Sequence, residues 1–444
     1  MFDTIISGAT IVNAGGEVRG DVTIRGGRIA GILSPGEAVE ARSVVDAEGC
    51  HLLPGLVDAH VHLREPGLTH KENFDSGTRA AALGGVTTVL DMPTDDPWTE
   101  TSEQLAAKMQ MAKQRIHVDV GFQAVISQDI GLLDGLLDLR PVSLELFTAD
   151  VPDAFLFDSI DAVSQIVRRL AGCDTLIGIS PGDQSILVGS GVRNHVGDIA
   201  AFLESRPPLA EASGVARAIL AAAGTNARIH VRQVNSALGM STWRRLRDMA
   251  DATVETTPQN FFFTDVQYQT AGAKLKGSPP FRTPIDVEAL RAALSGGLID
   301  IVSTDHAPHS PAEKAAAYAA FADIPGGMPG LQTLLATMLR LVEERVIGLC
   351  DLVRMCSFNP AARFGLRRSK GVIAEGFDAD IVVLDRRRPS WITNGQQVSR
   401  AGYTPFDGWS VPGTLAHVFL RGQEIVRDGK IISERRGSVV TRES

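Results

Sequence analysis

Eight short apolar stretches of strand length alternate with helix-patterned segments through the middle of this chain. One ends near His60; the others are 86–92, 118–125, 142–147, 175–179, 228–234, 252–257 and 300–303. Most of the gaps carry helical signals. Thr101-Ser102-Glu103-Gln104 reads as a capping box, with Leu105, Met109 and Ala112 following at helical spacing. Asp286 is placed to cap a helix carrying Val287, Leu290 and Leu294, which stops at Gly296-Gly297. Strands that alternate with helices pair in parallel, and eight such units suit a closed ring. The expected fold class is α/β, with a (β/α)8 TIM barrel over residues 55–374.

The two ends have a different texture. Ile5-Ile6, Thr10-Ile11-Val12 and Asp21-Val22-Thr23-Ile24-Arg25 read as short strands. Gly26-Gly27 then marks a hairpin turn, because both positions tolerate positive φ. Near the other end, 416–421 and 424–427 flank Gly422-Gln423, and Asp428-Gly429 makes a further turn. Neither end is long enough to bury a sheet face alone. Pairing them predicts a composite β-sandwich domain built from both termini, 1–54 and 375–444.

Bulk properties narrow the function. Over 444 residues, 44% hydrophobic and 21% charged is ordinary globular composition. A net charge of −9 disfavours nucleic acid or an anionic membrane as partner, since both need a basic surface. No apolar run of about 18 residues is present. Met1-Phe2-Asp3-Thr4 lacks the basic opening of a signal peptide, so a cytoplasmic protein is expected. Cys50, Cys173, Cys350 and Cys356 are scattered, without a C-x-x-C pair, and are expected to be free thiols.

In such a barrel the chemistry stands at the C-terminal ends of the strands. Asp58-Ala59-His60-Val61-His62 closes the first strand. Side chains alternate along a strand, so His60 and His62 face the same way and can meet one metal ion. The eighth strand runs into Ser303-Thr304-Asp305-His306-Ala307-Pro308-His309. Closing the ring sets the first strand beside the eighth and adds Asp305 to the pair. Two imidazoles and one carboxylate are enough for a catalytic zinc with room for water. The plainer readings are core histidines satisfied by hydrogen bonds and an Asp305 that caps a helix. The joint occurrence of the two motifs favours the metal.

These motifs, His60-Val61-His62-Leu63-Arg64-Glu65-Pro66-Gly67 and Ser303 to His309, resemble the cyclic amidohydrolases: dihydroorotase, allantoinase and hydantoinase. The arginine after the second histidine makes dihydroorotase the nearest in look. The likeness continues in Gly84-Gly85-Val86-Thr87-Thr88, Ser205-Arg206-Pro207-Pro208, Pro329-Gly330-Leu331-Gln332-Thr333 and Val382-Val383-Leu384-Asp385. It implies a metal-dependent hydrolase opening the C–N bond of a small cyclic amide or ureide, in a dimer or tetramer of identical chains. It also implies that Asp305 binds metal and shuttles a proton between the hydrolytic water and the leaving nitrogen. Arg64 would clamp a ring acid through two parallel hydrogen bonds. His309 is a second expected substrate contact, and His306 a supporting or structural residue.

The chain also departs from the family pattern. Two-metal relatives carry a carboxylated lysine on the fourth strand, where this chain has Glu145. Ser180 stands at the fifth-strand histidine position and Gln233 at the sixth. Hydroxyl and amide oxygen are poor zinc ligands beside imidazole and carboxylate. The expectation is therefore one ion rather than two, zinc or another divalent metal such as Mn2+, on His60, His62 and Asp305. Glu145 is left as a ligand, a base or neither, and either Asp305 or Glu145 is expected to take the proton. Substrate contacts shift as well, with Thr94 where relatives have an amide and Ser278 before Pro279-Pro280. The segment 310–330, rich in Ala, Gly and Pro, is expected to be a lid. Two other functions compete: a non-catalytic homologue partnering a protein such as aspartate transcarbamoylase, and a binding protein for a small ring acid.

Overall fold

The computed structural model describes residues 1–193 and 198–443. Its centre is made of parallel strands. Six form one sheet in the order Ala124–Val125, Leu144–Phe147, Leu176–Ser180, Arg228–Val231, Asp251–Thr256 and Ile301–Val302. A second sheet holds Leu56–Val61, Val86–Asp91, Asp119–Phe122 and Val439–Val440. Each expected strand stretch therefore contains a strand, with 118–125 broken at Gln123. The Leu56–Val61, Val86–Asp91 and Leu144–Phe147 strands are buried throughout, as parallel strands covered on both faces must be.

The two parallel sheets touch at both margins. On one side Val142 N donates to Phe122 O at 3.0 Å. On the other His62 N donates to His306 O at 2.8 Å, and Val61 bridges His306 in parallel. This second seam brings the two distant sequence motifs side by side. Asp58 locks it: its carboxylate accepts from Thr304 N at 3.0 Å and Thr304 Oγ1 at 2.6 Å. Burial pushes the Asp58 carboxyl up to about 7.

Helix starts follow local chemistry. Thr101 and Gln104 form the expected capping box ahead of Ser102–Ala112. The helix expected to start at Asp286 begins one turn earlier. Thr283 is its N-cap, Pro284 follows, and Asp286 closes the box by accepting from Thr283 N at 3.1 Å. Proline suits the first helical position because no partner for its missing N–H is needed there. The helix stops at Gly296, as its sequence suggests.

The ends of the chain meet in a nine-stranded mixed sheet. Ile381–Asp385 pairs antiparallel with His51–Pro54, which joins the C-terminal half to the N-terminal half. The Gly26-Gly27 turn has φ of 59° and 80°, conformations that favour glycine. Ile6, Ile11, Ile24, Leu52, Ile381 and Val383 pack into a core of this sheet. The tail leaves it: Val439 and Val440 pair in parallel with Val120 and Gly121 of the central strands. All four cysteines are free thiols. Among the described residues, no helix is long and apolar enough to cross a membrane.

Candidate active site

His60 and His62 stand at the C-terminal end of Leu56–Val61, and Asp305 lies just past Ile301–Val302. Their metal-binding atoms all lie within 4.8 Å of one another. Asp305 Oδ1 is 3.4 Å from His60 Nε2 and 3.2 Å from His62 Nε2. Each imidazole is held from behind by its other nitrogen. His60 Nδ1 is 2.6 Å from Glu255 Oε1, and His62 Nδ1 is 2.8 Å from Thr94 Oγ1. A carboxylate only accepts, so the hydrogen bond to Glu255 assigns the His60 proton to Nδ1 and frees Nε2 as a donor atom toward Asp305. The set therefore fits a divalent ion bound by two imidazoles and a carboxylate.

Charge is unevenly shared. Burial works against a charged His60, but Asp305 and Glu255 outweigh it and raise its pKa. Burial prevails at His62 and lowers it to about 3. Asp305 is kept below the ordinary carboxylate value by the two imidazoles, against the effect of burial. Arg64, Gln233 and Asp305 all have left-handed backbones, with φ of 61°, 52° and 47°. Non-glycine residues rarely adopt this conformation, and such outliers gather at functional sites.

A cavity of about 290 Å³ opens over this group, walled in part by His60, His62, Arg64, Gln233, Ser278 and Asp305. Arg64 is half-buried, with its Nε buried and lacking any hydrogen-bond partner, and desolvation lowers its pKa. Gln233 Nε2 donates to Asp305 Oδ2, at the position expected for a lost ligand. Two further expected substrate contacts, Thr94 and His309, are engaged by protein groups. Thr94 is behind His62 and orients it. His309 is outside the wall, with Nε2 at 2.9 Å from Gly326 O, and burial with Arg64 nearby lowers it to about 3. His306 is engaged through both ring nitrogens: Gly330 N donates to its Nδ1 at 3.1 Å, and Glu72 lies 3.3 Å from its Nε2.

Glu145, expected as a possible base, faces a buried cation. Arg232 donates to it through Nε (to Oε2) at 3.1 Å and Nη2 (to Oε1) at 2.7 Å. The same guanidinium donates to Ala59 O at 2.9 Å, to Glu255 Oε2 at 3.1 Å and to Gln123 Oε1. All five of its N–H groups are thereby used. Ser143 Oγ donates to Glu145 Oε1 at 2.7 Å. Gly178 sits directly opposite Glu145 on the next strand, and a Cβ there would lie 2.2 Å from both carboxylate oxygens. Glu255 is thus the joint between Arg232 and His60, and it is held well below the usual carboxylate range by those partners despite burial.

Sequence reasoning missed Arg232, Glu255 and Gln123. A signal was present: ionisable residues in strands buried on both faces must find partners of opposite sign. Glu145 and Glu255 lie on buried parts of two strands, and buried Arg232 stands one residue past the end of a third, Arg228–Val231.

Two family models match the chain, one described as Dihydro-orotase-like over residues 49–237 and one as Amidohydrolase family over 273–425. A dihydroorotase of Methanothermobacter thermautotrophicus is 32% identical over 397 residues, covering 89% of this chain and 88% of the relative. The chain belongs to the amidohydrolase family. This amidohydrolase is equally similar to an allantoinase of Deinococcus radiodurans, 32% identical over 456 residues, covering 99% of this chain and 98% of the relative. Its fold is that of a solved L-hydantoinase (dihydropyrimidinase) from Arthrobacter aurescens, with a TM-score of 0.95, 28% identity and full coverage of both chains. All three relatives are named as enzymes, and the competing reading of a non-catalytic partner finds no support among them.

Proposed function

We propose that this amidohydrolase opens the C–N amide bond of a small cyclic amide or ureide that carries an acid group, using one divalent ion held by His60, His62 and Asp305. The reading takes the two parallel sheets as one (β/α)8 barrel, supported by their contacts at both margins and by the likeness to L-hydantoinase. The observation that carries it is the convergence of two imidazole Nε2 atoms on Asp305, each ring steadied through Nδ1. Zinc suits this donor set, and Mn2+ is the alternative. Bound there, a divalent cation supplies Lewis acidity that makes water a usable nucleophile near neutral pH and draws charge from a carbonyl oxygen.

The protein's own groups do the rest. Asp305 accepts a proton from the attacking water, its carboxylate steadied by Gln233 Nε2. The water oxygen bonds to the ring carbonyl carbon, the C–N bond breaks, and Asp305 delivers the proton to the departing nitrogen. Arg64 contributes a half-buried guanidinium on the cavity wall whose Nε has no partner, which favours a substrate acid group at that wall. Glu145 takes no part in proton transfer, because its carboxylate is committed to Arg232. A hydrolysis screen over dihydroorotate, allantoin, hydantoins and cyclic imides, followed by loss of ring-amide absorbance, tests the reading. Ring opening of an acid-bearing member, abolished in Asp305→Asn, is expected. No turnover of any of them by metal-loaded protein would contradict it.

A further inference from the structure

A second cavity, of about 370 Å³, lies at the opposite end of the parallel strands. Its wall includes Val142, Leu176 and Arg228, at or before the starts of their strands, whereas the catalytic groups stand at the strand ends. Five arginines line it, Arg228, Arg363, Arg367, Arg368 and Arg442, against two carboxylates. This is a local excess of positive charge on a chain whose net charge is −9.

The two carboxylates do not offset it. Asp174 is largely exposed and only 3.5 Å from Arg228 at its nearest. Glu443, also on the wall, spends its carboxylate on backbone and hydroxyl donors, accepting from Arg368 N at 2.7 Å and Ser369 Oγ at 2.5 Å. Arg363 is anchored through both Nη atoms to Asp251 and the Ile229 carbonyl, yet its Nε is buried with no partner. Arg442 has both Nε and Nη1 buried with no partner. Buried donors are nearly always satisfied, and an orphan is costly. Two of the five arginines lining this basic cavity thus carry three nitrogens without a partner, and the set as a whole suits an acceptor that bears several oxygens and more than one negative charge.

We propose that this cavity binds a small anion of the phosphate class, free or as the phosphate group of a larger metabolite, at a site separate from the catalytic one. Guanidinium forks match tetrahedral oxyanions by paired hydrogen bonds. A singly charged carboxylate would leave most of the excess charge unmatched. Arg442 and Arg363 supply the deep donors, and Arg367, exposed at the rim, supplies attraction.

Equilibrium dialysis of the full-length protein against labelled inorganic phosphate, at fixed ionic strength, tests this. Saturable binding of about one phosphate per chain is expected, with affinity at least about tenfold weaker in Arg367→Gln Arg442→Gln, as befits loss of charged hydrogen bonds. Acetate at equal ionic strength should fail to displace it. Arg64→Met and His60→Ala His62→Ala should bind phosphate like the parent, which separates this site from the catalytic one. If the double arginine variant does not fold, Arg367→Gln alone, changed at the rim, should still weaken binding. Absence of saturable binding, unchanged affinity in the arginine variants, equal displacement by acetate, or loss of binding in Arg64→Met overturns the proposal.

Discussion

Arg232 grips Glu145 with two near-parallel hydrogen bonds, and neither side chain has any exposed surface. The fourth-strand position that resembles the bridging lysine of two-metal relatives thus carries a carboxylate with its own internal counter-charge. The same guanidinium reaches Glu255, and Glu255 reaches His60. One network therefore neutralises the interior beneath the cavity and aims a metal ligand into it.

Glu145→Gln leaves a buried guanidinium short of charge, and breaking such a pair costs about 3–5 kcal/mol. Urea unfolding is expected to show that loss. The double variant Glu145→Gln Arg232→Gln should lose less than the sum of the two single changes, because the residues are coupled. Below the unfolding transition, Glu145→Gln should keep kcat within about tenfold, whereas removal of a general base typically costs about 10²–10⁴.

Glu255 acts on metal affinity through His60. Glu255→Gln replaces a pure acceptor by an amide and weakens the preference for the proton on Nδ1. Metal affinity, read by competition with a chromogenic chelator, is expected to fall about 10–100-fold, as for loss of other outer partners of metal-bound histidine. Thr94→Val should act in the same direction through His62, and by less, because a hydroxyl is a weaker partner than a carboxylate.

Arg64 separates recognition from stability. Arg64→Met removes a buried donor that has no partner in the protein, so the thermal midpoint should hold or rise. KM for an acid-bearing ring substrate should increase about 10–100-fold, with a much smaller change for an uncharged ring. An equal increase for both would show that Arg64 shapes the cavity without reading charge.

Much of this is legible in the sequence. His60 and His62 share a face by strand alternation, and Asp305 joins them because the first and eighth strands meet at the Val61–His306 bridge. Local turn chemistry placed Gly26-Gly27 and the Thr101 cap correctly. Asp286 misled because an acid fits both the cap and the third helical residue, and only Thr283 with Pro284 decides between them. The partners of Thr94 and His309, the His62 ring and the Gly326 carbonyl, were not legible for a different reason: nearness to the site along the chain does not say which way a side chain turns. Arg232 went unread because it sits one residue before the ligand-like Gln233, and its partners Glu145 and Glu255 lie on other strands. Long-range charge pairing leaves no periodic trace in a sequence.

Stability should depend on pH through two lysines near the 310–330 segment. Lys314 Nζ donates to Ala273 O at 3.0 Å and Pro325 O at 2.7 Å. Burial, with Lys276 adding to it, lowers Lys314 to about 7, and burial with Arg206 lowers Lys276 to about 8. The unfolded chain holds such lysines near about 10.4, so between these values it binds more protons than the folded chain. Stability is then greatest above the unfolded value and is lost as pH falls through 8 and 7. The urea midpoint should be higher at about pH 9.5 than at about pH 6.5, with the difference reduced in Lys314→Met.

Elemental analysis of protein dialysed against excess zinc or manganese counts the divalent ions bound per chain at saturation and decides whether this site holds one ion. One ion per chain is predicted, absent from His60→Ala His62→Ala and still one in Glu145→Gln. Two ions per chain, no ion at all, or an ion that survives loss of both histidines would contradict a single-metal site on His60, His62 and Asp305.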